Sequence, residues 1–516
     1  MTAGGDPLAE AYALLREGRG GEARDLLAPL MGTGLRSPLA HQMMGMILKS
    51  LDDAPGAERE LRAAIHMAPA LDSAVQPLAQ MLSAQGRHEE AADVYAALSS
   101  ASPDHAGAEF GLASELYRAG REDEAEAAGR RAIDKGLDRI EPWMFLARLL
   151  SLQGRLEEAE EAYRNAVAHD PLSAEAQREL AQLIWMQTAD AAQACALLDA
   201  APPSAGLTAV KVKLLQDAGQ EEAAYALAAR WAARDPGLSV LAARAALRLD
   251  PAKADLHLAA APEWINALAR AKAQIETDLA LGRAGPAAER AEALLAAHPQ
   301  DHYVTALLAT AWRLTGDPRY GRLYDYDRLV KTYRIAPPPG WSDLASYLAD
   351  LARALDGLHG LRTHPVGQSL RHGSQTMRSL LDYDDPAIRA FFEAVDAPIR
   401  RHIAAIGEGA QDYEVEGAWS VRLNDQGFHT DHVHPDGWLS SAFYVRLPDA
   451  VEHDRQGWIK FGQPGTPTRP PLEAEHFVRP EPGMLVLFPS YMWHGAAPFA
   501  SHETRLTCAF DLVRKP

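Results

Sequence analysis

The chain has 516 residues, of which 47% are hydrophobic and 23% charged, a balance that excludes intrinsic disorder and a length that exceeds what one core can fill. A formal charge of −19, with no cluster of Lys and Arg, excludes a phosphate-backbone partner, so no nucleic acid is expected. Cys195 and Cys508 lack CxxC spacing, which excludes a disulfide framework or zinc knuckle and leaves both as small buried hydrophobes.

The amino terminus, MTAGGDPLAEAYALLREG, has no basic segment leading into an apolar one, and the chain nowhere runs to about eighteen consecutive apolar residues. A cytoplasmic protein without membrane contact is the expectation. From there a repeat sets in. Gly86-Arg-His-Glu-Glu-Ala91, Gly120-Arg-Glu-Asp-Glu-Ala125 and Gly154-Arg-Leu-Glu-Glu-Ala159 follow one another at 34 residues, and the register extends back through Asp52 and Ala57 to Gly18 and Ala23. Gly219 with Ala224, and Gly282 with Ala287, are weaker copies. Each unit predicts a helix, a tight turn at Gly and a second helix. The small Ala lets the two helices approach, and Pro69, Pro103 and Pro171 close the pair. This pattern resembles the tetratricopeptide repeat, closely over 8–200 and loosely over 205–320. The resemblance implies a curved solenoid, taken here as 1–334, whose concave face holds a peptide or protein. An array that only dimerises the chain or spaces its domains is the alternative.

Ile335-Ala-Pro-Pro-Pro-Gly340 reads as a stiff linker, so a second domain is expected over 335–516. Helical spacing recurs over 341–358 and 385–406. From Tyr413 the texture changes to short runs of Val, Phe, Trp and Tyr broken by Gly and Pro, which predicts an antiparallel β-domain with helices on one side. Strands are expected at 415–424, 439–447, 484–488 and 504–513. In the last, Arg505, Thr507 and Asp511 share one face and Leu506, Cys508, Phe510 and Leu512 the other, so the polar face is either a solvated edge or the lining of a pocket.

The stretch from Gly427 to Trp438, GFHTDHVHPDGW, carries His429, Asp431, His432 and His434. In an unbroken strand His432 and His434 point to one side and His429 with Asp431 to the other. Either pair, joined by the distant His494, forms a facial set of three ligands with open positions remaining. His453, His476 and His502 are expected at the surface in loops. Trp419, Trp438, Trp458 and Trp493 are expected in core or pocket wall. Arg422 and Asn424 share a face that lines either the pocket or solvent.

HxH at His432 and His434, Tyr444 on a strand, Pro-Gly before an apolar strand, Phe-Pro-Ser ahead of His494, and Arg505 in R-x-T together resemble the iron(II) and 2-oxoglutarate-dependent oxygenases. Within these the chain is similar to the bacterial branch fused to tetratricopeptide repeats, and Gln368–Thr376 resembles the segment ahead of that branch's barrel. The resemblance covers about 335–516. It implies a multidomain protein, an all-α repeat solenoid followed by a double-stranded β-helix (jelly-roll) domain with flanking helices. It also implies Fe(II) held by His432, His434 and His494, and 2-oxoglutarate bound by Arg505, Thr507 and Tyr444. His434 stands where most of the superfamily has Asp or Glu, so a two-His centre completed by water, and His429 and Asp431 with His494, remain the competing sets. The implied activity is hydroxylation of a peptide or protein held with help from the repeats. The alternatives are a cupin-like metalloenzyme that does not use 2-oxoglutarate and a non-catalytic repeat scaffold.

Overall fold

A glycine turn between paired helices recurs along the backbone at the spacing seen in the sequence. The structure is a computed structural model and describes residues 6–32, 37–407 and 411–515. The helices Asp72–Ala84 and His88–Ala101, Ala106–Arg118 and Glu122–Asp134, and Glu141–Leu152 and Leu156–His169 meet at Gly86, Gly120 and Gly154. These three glycines have φ of +74°, +79° and +76°, the left-handed region that a side chain disfavours. Ala57, Ala91, Ala125 and Ala159 are each 0% exposed, which is why nothing larger than a methyl group occupies that position.

The chain packs as two compact units, Met1–Asp170 and Pro171–Pro516. The first consists of such helix pairs. The second opens with more of them, from Ala174–Thr188 to His302–Thr315, and again turns at left-handed Gly219 and Gly282 beside fully buried Ala224 and Ala287. A curled antiparallel sheet follows, as in a jelly roll.

Its strands are β1 (Lys331–Arg334), β2 (Leu370–Gln375), β3 (Tyr413–His432), β4 (Leu439–Arg446), β5 (Ile459–Phe461), β6 (His476–Val478), β7 (Met484–Pro489), β8 (His494–Ala496) and β9 (Arg505–Arg514). They are ordered β1-β7-β4-β9-β3-β8-β5-β6, with β2 also on β3. The long strand β3 pairs with β9 through its first half and with β8 through its end. That shared strand bends the sheet back on itself, so that Phe488 of β7 meets Phe461 of β5 at 5.0 Å and His494 of β8 at 4.6 Å between ring centroids. The helices Leu344–Asp356 and Pro386–Ala405 cover the outside. Phe391 packs on Phe443 and Phe510, and buried Tyr347 donates its hydroxyl to the Ala387 carbonyl. Strand β9 lies between β4 and β3 rather than at an edge. Arg505 and Thr507 on its polar face are both buried, so that face looks into the sheet's interior and not into solvent.

Buried His359 ties β2 to β3, with Nδ1 2.9 Å from the Ser374 hydroxyl and Nε2 3.0 Å from that of Ser420. Burial first, and the Arg422 charge second, push its pKa from 6.5 down to about 4. The unfolded chain therefore takes up a proton that the folded chain refuses. Stability is fully present above 6.5 and is lost as pH falls from there to about 4, at up to ~1.4 kcal/mol per pH unit. Denaturant midpoints of the second unit measured across that window should fall with pH in the wild type and fall less steeply in His359→Gln. Parallel slopes would contradict this.

Candidate metal centre

The last turn of β3 faces β8, with His432 directly opposite His494. The register shifts between His429 and His432, a bulge that re-aims every side chain after it. Pro435 then prevents the strand from continuing, and the backbone amide of His434 donates to the Ser490 carbonyl at 3.0 Å, which turns the His434 ring inward. Ring centroids lie 4.2 Å apart for His432 and His494, 5.1 Å for His432 and His434, and 5.2 Å for His434 and His494. One nitrogen from each of these three imidazoles falls within 4.8 Å of the others, a spacing that could hold a metal ion.

The opposite ring nitrogens say which atoms converge. His432 Nδ1 lies 2.8 Å from the Thr430 carbonyl, His494 Nδ1 2.9 Å from the Met492 carbonyl, and His434 Nδ1 2.5 Å from Asp511 Oδ2. A carbonyl or carboxylate oxygen can only accept, so each Nδ1 carries hydrogen, and in the neutral ring the lone pair is on Nε2, toward the centre. Burial, reinforced by the neighbouring imidazoles, lowers His432 to about 3 and holds His494 well below its ordinary value. Neutral rings are the form that binds cations.

His429 and Asp431 depart from the two-sided expectation. The bulge brings His429 onto the same side as His432, their rings stacked 6.1 Å apart, with Ser369 Oγ 3.1 Å from His429 Nδ1 and 3.3 Å from His432 Nε2. Asp431 turns away and accepts from Lys460 Nζ at 2.8 Å. Strands β3 and β8 meet closely there. A Cβ at Gly495 would lie 2.7 Å from Asp431 Oδ1 and 2.8 Å from the His429 carbonyl oxygen, so only glycine fits.

A cavity of about 540 Å³ opens on the three imidazoles and is lined further by Arg505, Thr507, Asp511, Ser369 and Trp419. The polar face of β9 thus lines a pocket. Arg505 is 3% exposed, and burial lowers its pKa. Its guanidinium sits 5.1 Å from the Tyr444 ring, and among the described residues no carboxylate pairs with it. A buried cation left in this state is costly and calls for an anion. Thr507 directs its hydroxyl to the Val421 carbonyl at 3.3 Å. Trp419 stacks on His434 at 5.9 Å and 9°, as pocket wall. Trp493 is core, its Nε1 donating to the Ala306 carbonyl and Thr310. Arg422 instead holds the His359 carbonyl at 3.0 Å. His453 and His502 are exposed, but His476 lies in β6, part-buried and stacked on Tyr326 at 5.1 Å.

Helix pairs of the second unit reach this cavity. Lys213, on the helix Ala205–Asp217, lines its wall beside Arg371. The fully buried carboxylate of Asp217 accepts from Arg371 at 3.0 Å and from the Gly367 amide at 2.5 Å, pinning the segment that carries Ser369. A groove of about 1400 Å³ between these helices and the sheet shares Lys213, Arg371, His429, Thr430 and Ala496 with the cavity. Sequence reasoning put Asp511 on the polar face of β9 without giving it a role, and it missed Ser369 and Lys213 as parts of the site. Alternation along β9 was the one signal that pointed to Asp511.

Residues 417–511 match the family described as "Putative 2OG-Fe(II) oxygenase", and residues 82–149 and 140–183 match tetratricopeptide repeat families. The chain therefore joins tetratricopeptide repeats to a domain of that oxygenase family. No curated protein matches the sequence. Among solved structures, similar chains include MamA from Desulfovibrio magneticus, 19% identical, covering 32% of this chain and 96% of its own with a TM-score of 0.29. A tetratricopeptide repeat protein from Parabacteroides merdae is 17% identical over 43% of this chain and 90% of its own, with a TM-score of 0.32. A thermophilic TPR protein in Thermus thermophilus is 21% identical over 35% and 98%, with a TM-score of 0.26.

Because Arg505 is buried without an anionic partner among the described residues, replacing it with an apolar side chain of similar length should relieve strain. Arg505→Met should stabilise the protein, in the absence of added anions, by about 1–3 kcal/mol, read from the denaturant midpoint of the second unit. A comparable destabilisation would show that Arg505 is already neutralised.

Proposed function

We propose that the chain is a 2-oxoglutarate-dependent dioxygenase that hydroxylates a peptide or protein substrate. The observation that carries this reading is the pairing, in one cavity, of three converging Nε2 atoms with a buried guanidinium that has no counter-charge among the described residues. His432, His434 and His494 would hold Fe(II), and the fit rests on their fixed tautomers. Arg505 would pair with the far carboxylate of 2-oxoglutarate, its planar fork suiting two carboxylate oxygens. Tyr444 has a hydroxyl to donate to the same group, and Thr507 would redirect its hydroxyl from Val421. When bound, Fe(II) and 2-oxoglutarate supply the activation of dioxygen, one atom entering the substrate C–H bond and the other the succinate formed with loss of carbon dioxide.

The chain's own share is position and exclusion of water. Trp419 fixes the His434 ring face, Arg505 sets the cosubstrate's direction, and the sheet interior walls off solvent. The presence of Lys213 in the cavity wall, and the groove that continues past it along the helix pairs, support a substrate held with help from the repeats. At about 1400 Å³ the groove exceeds the usual range of a small-molecule pocket, which favours a polypeptide.

Purified protein with Fe(II) should convert 2-oxoglutarate to succinate, and His494→Ala should abolish this. Arg505→Met should raise the 2-oxoglutarate concentration needed by about 100-fold, the equivalent of ~3 kcal/mol for a buried charge-assisted contact. Absence of turnover in the wild type would overturn the proposal, and metal-dependent activity untouched by Arg505→Met would point to a metalloenzyme that does not use 2-oxoglutarate. Comparing the proteomes of wild-type and His494→Ala cells should reveal residues heavier by one oxygen atom only in the wild type. No such residue anywhere would contradict a protein substrate.

A further inference from the structure

The three imidazoles are not held alike. His432 and His494 each direct Nδ1 to a backbone carbonyl, whereas His434 directs it to a carboxylate. We propose that Asp511 is a positioning residue for the metal, supplying from behind His434 the negative charge that a set of neutral imidazoles lacks.

The arrangement around Asp511 is built to keep that carboxylate in place. The residue lies on β9 across from Ser440 on β4 and Gly417 on β3. Its Oδ2 takes the His434 hydrogen at 2.5 Å, while Oδ1 accepts from Ser440 Oγ at 2.7 Å. Ser440 Oγ is in turn 2.8 Å from Ser490 Oγ, and both serines are buried. Ser490 closes the loop through its backbone, its carbonyl accepting from the His434 amide and its own amide donating to the Trp438 carbonyl. The His434 ring is thereby fixed at its edge by Asp511, across its face by Trp419 and at its backbone by Ser490.

A carboxylate can only accept from His434 Nδ1, so in the neutral ring the lone pair lies on Nε2, the atom that would ligate. A full negative charge one imidazole away also draws electron density toward Nε2 and offsets part of a divalent charge, in a pocket whose wall also carries the cation of Arg505.

This inference rests on the reading that the three histidines hold a metal, and its test separates the two. Cobalt(II) affinity would be measured by calorimetry, and its visible ligand-field spectrum recorded, for the full-length wild type, His494→Ala, Asp511→Asn and Ser440→Ala, each checked for folding by thermal unfolding without metal. Asp511→Asn keeps the shape but loses the charge, and its amide can donate to Nδ1. It should bind cobalt(II) about 10–100-fold more weakly and change the spectrum. Ser440→Ala keeps the charge but frees Oδ1, and should weaken binding measurably, by less than Asp511→Asn does. If Asp511→Asn does not fold, Ser440→Ala decides the matter. Wild-type affinity in the folded variants overturns the role of Asp511 while leaving the histidine site standing. Failure of the wild type to bind cobalt(II), or undiminished binding by His494→Ala, overturns both readings.

Discussion

The bulge between His429 and His432 is the constraint on which the rest of the site depends. A regular strand would send His432 and Asp431 to opposite faces and leave His429 with Asp431. The register shift instead sets His432 across from His494, and Pro435 ends the strand in time for His434 to fold back over Ser490. The close approach of β8 required for this is possible because residue 495 has no side chain. One irregularity thus converts a stretch crowded with polar side chains into a centre of three imidazoles, with Asp431 directed away from them to Lys460.

A second constraint is electrostatic. Arg505 sits in the middle of a sheet whose other face is Leu506, Cys508, Phe510 and Leu512, all fully buried. Placing a guanidinium there with no counter-charge among the described residues works against stability, and a fold keeps such a group where binding will neutralise it. Asp217 shows the contrasting case: its buried carboxylate is matched by Arg371, a backbone amide and Lys213. That contact is structural, joining the helix Ala205–Asp217 to the cavity wall, and it makes the helix pairs of the second unit part of the site's architecture.

The repeats are legible in the sequence because every unit demands the same two things of the chain, a left-handed turn and a small residue where helices touch, and only Gly and Ala meet both cheaply. The strands β3, β4 and β9 are legible because each is long enough to show alternation or an apolar run, and β7 because nearly all of its residues are apolar. Strands of three to six residues such as β2, β5, β6 and β8 carry no period and emerge only from pairing. The histidines can be nominated from order and spacing, but the side on which His429 projects cannot, since a bulge leaves no mark in composition. Asp511 and His434 are 77 residues apart, and Lys213 is further still from the residues it joins, so their parts in the cavity belong to tertiary packing. His476 lies in a strand rather than a surface loop for the same reason: its stacking partner, Tyr326, lies just ahead of β1, far from β6 in sequence.

On the proposed reading, the converging imidazoles hold Fe(II) beside a guanidinium that receives 2-oxoglutarate. Anaerobic addition of Fe(II) and then 2-oxoglutarate, followed by the visible charge-transfer absorption of the chelate, tests both halves at once. The wild type should show a band that requires both additions, disappears in His432→Ala and needs far more 2-oxoglutarate in Arg505→Met. No band in the wild type, or an undiminished band in His432→Ala, would contradict that reading.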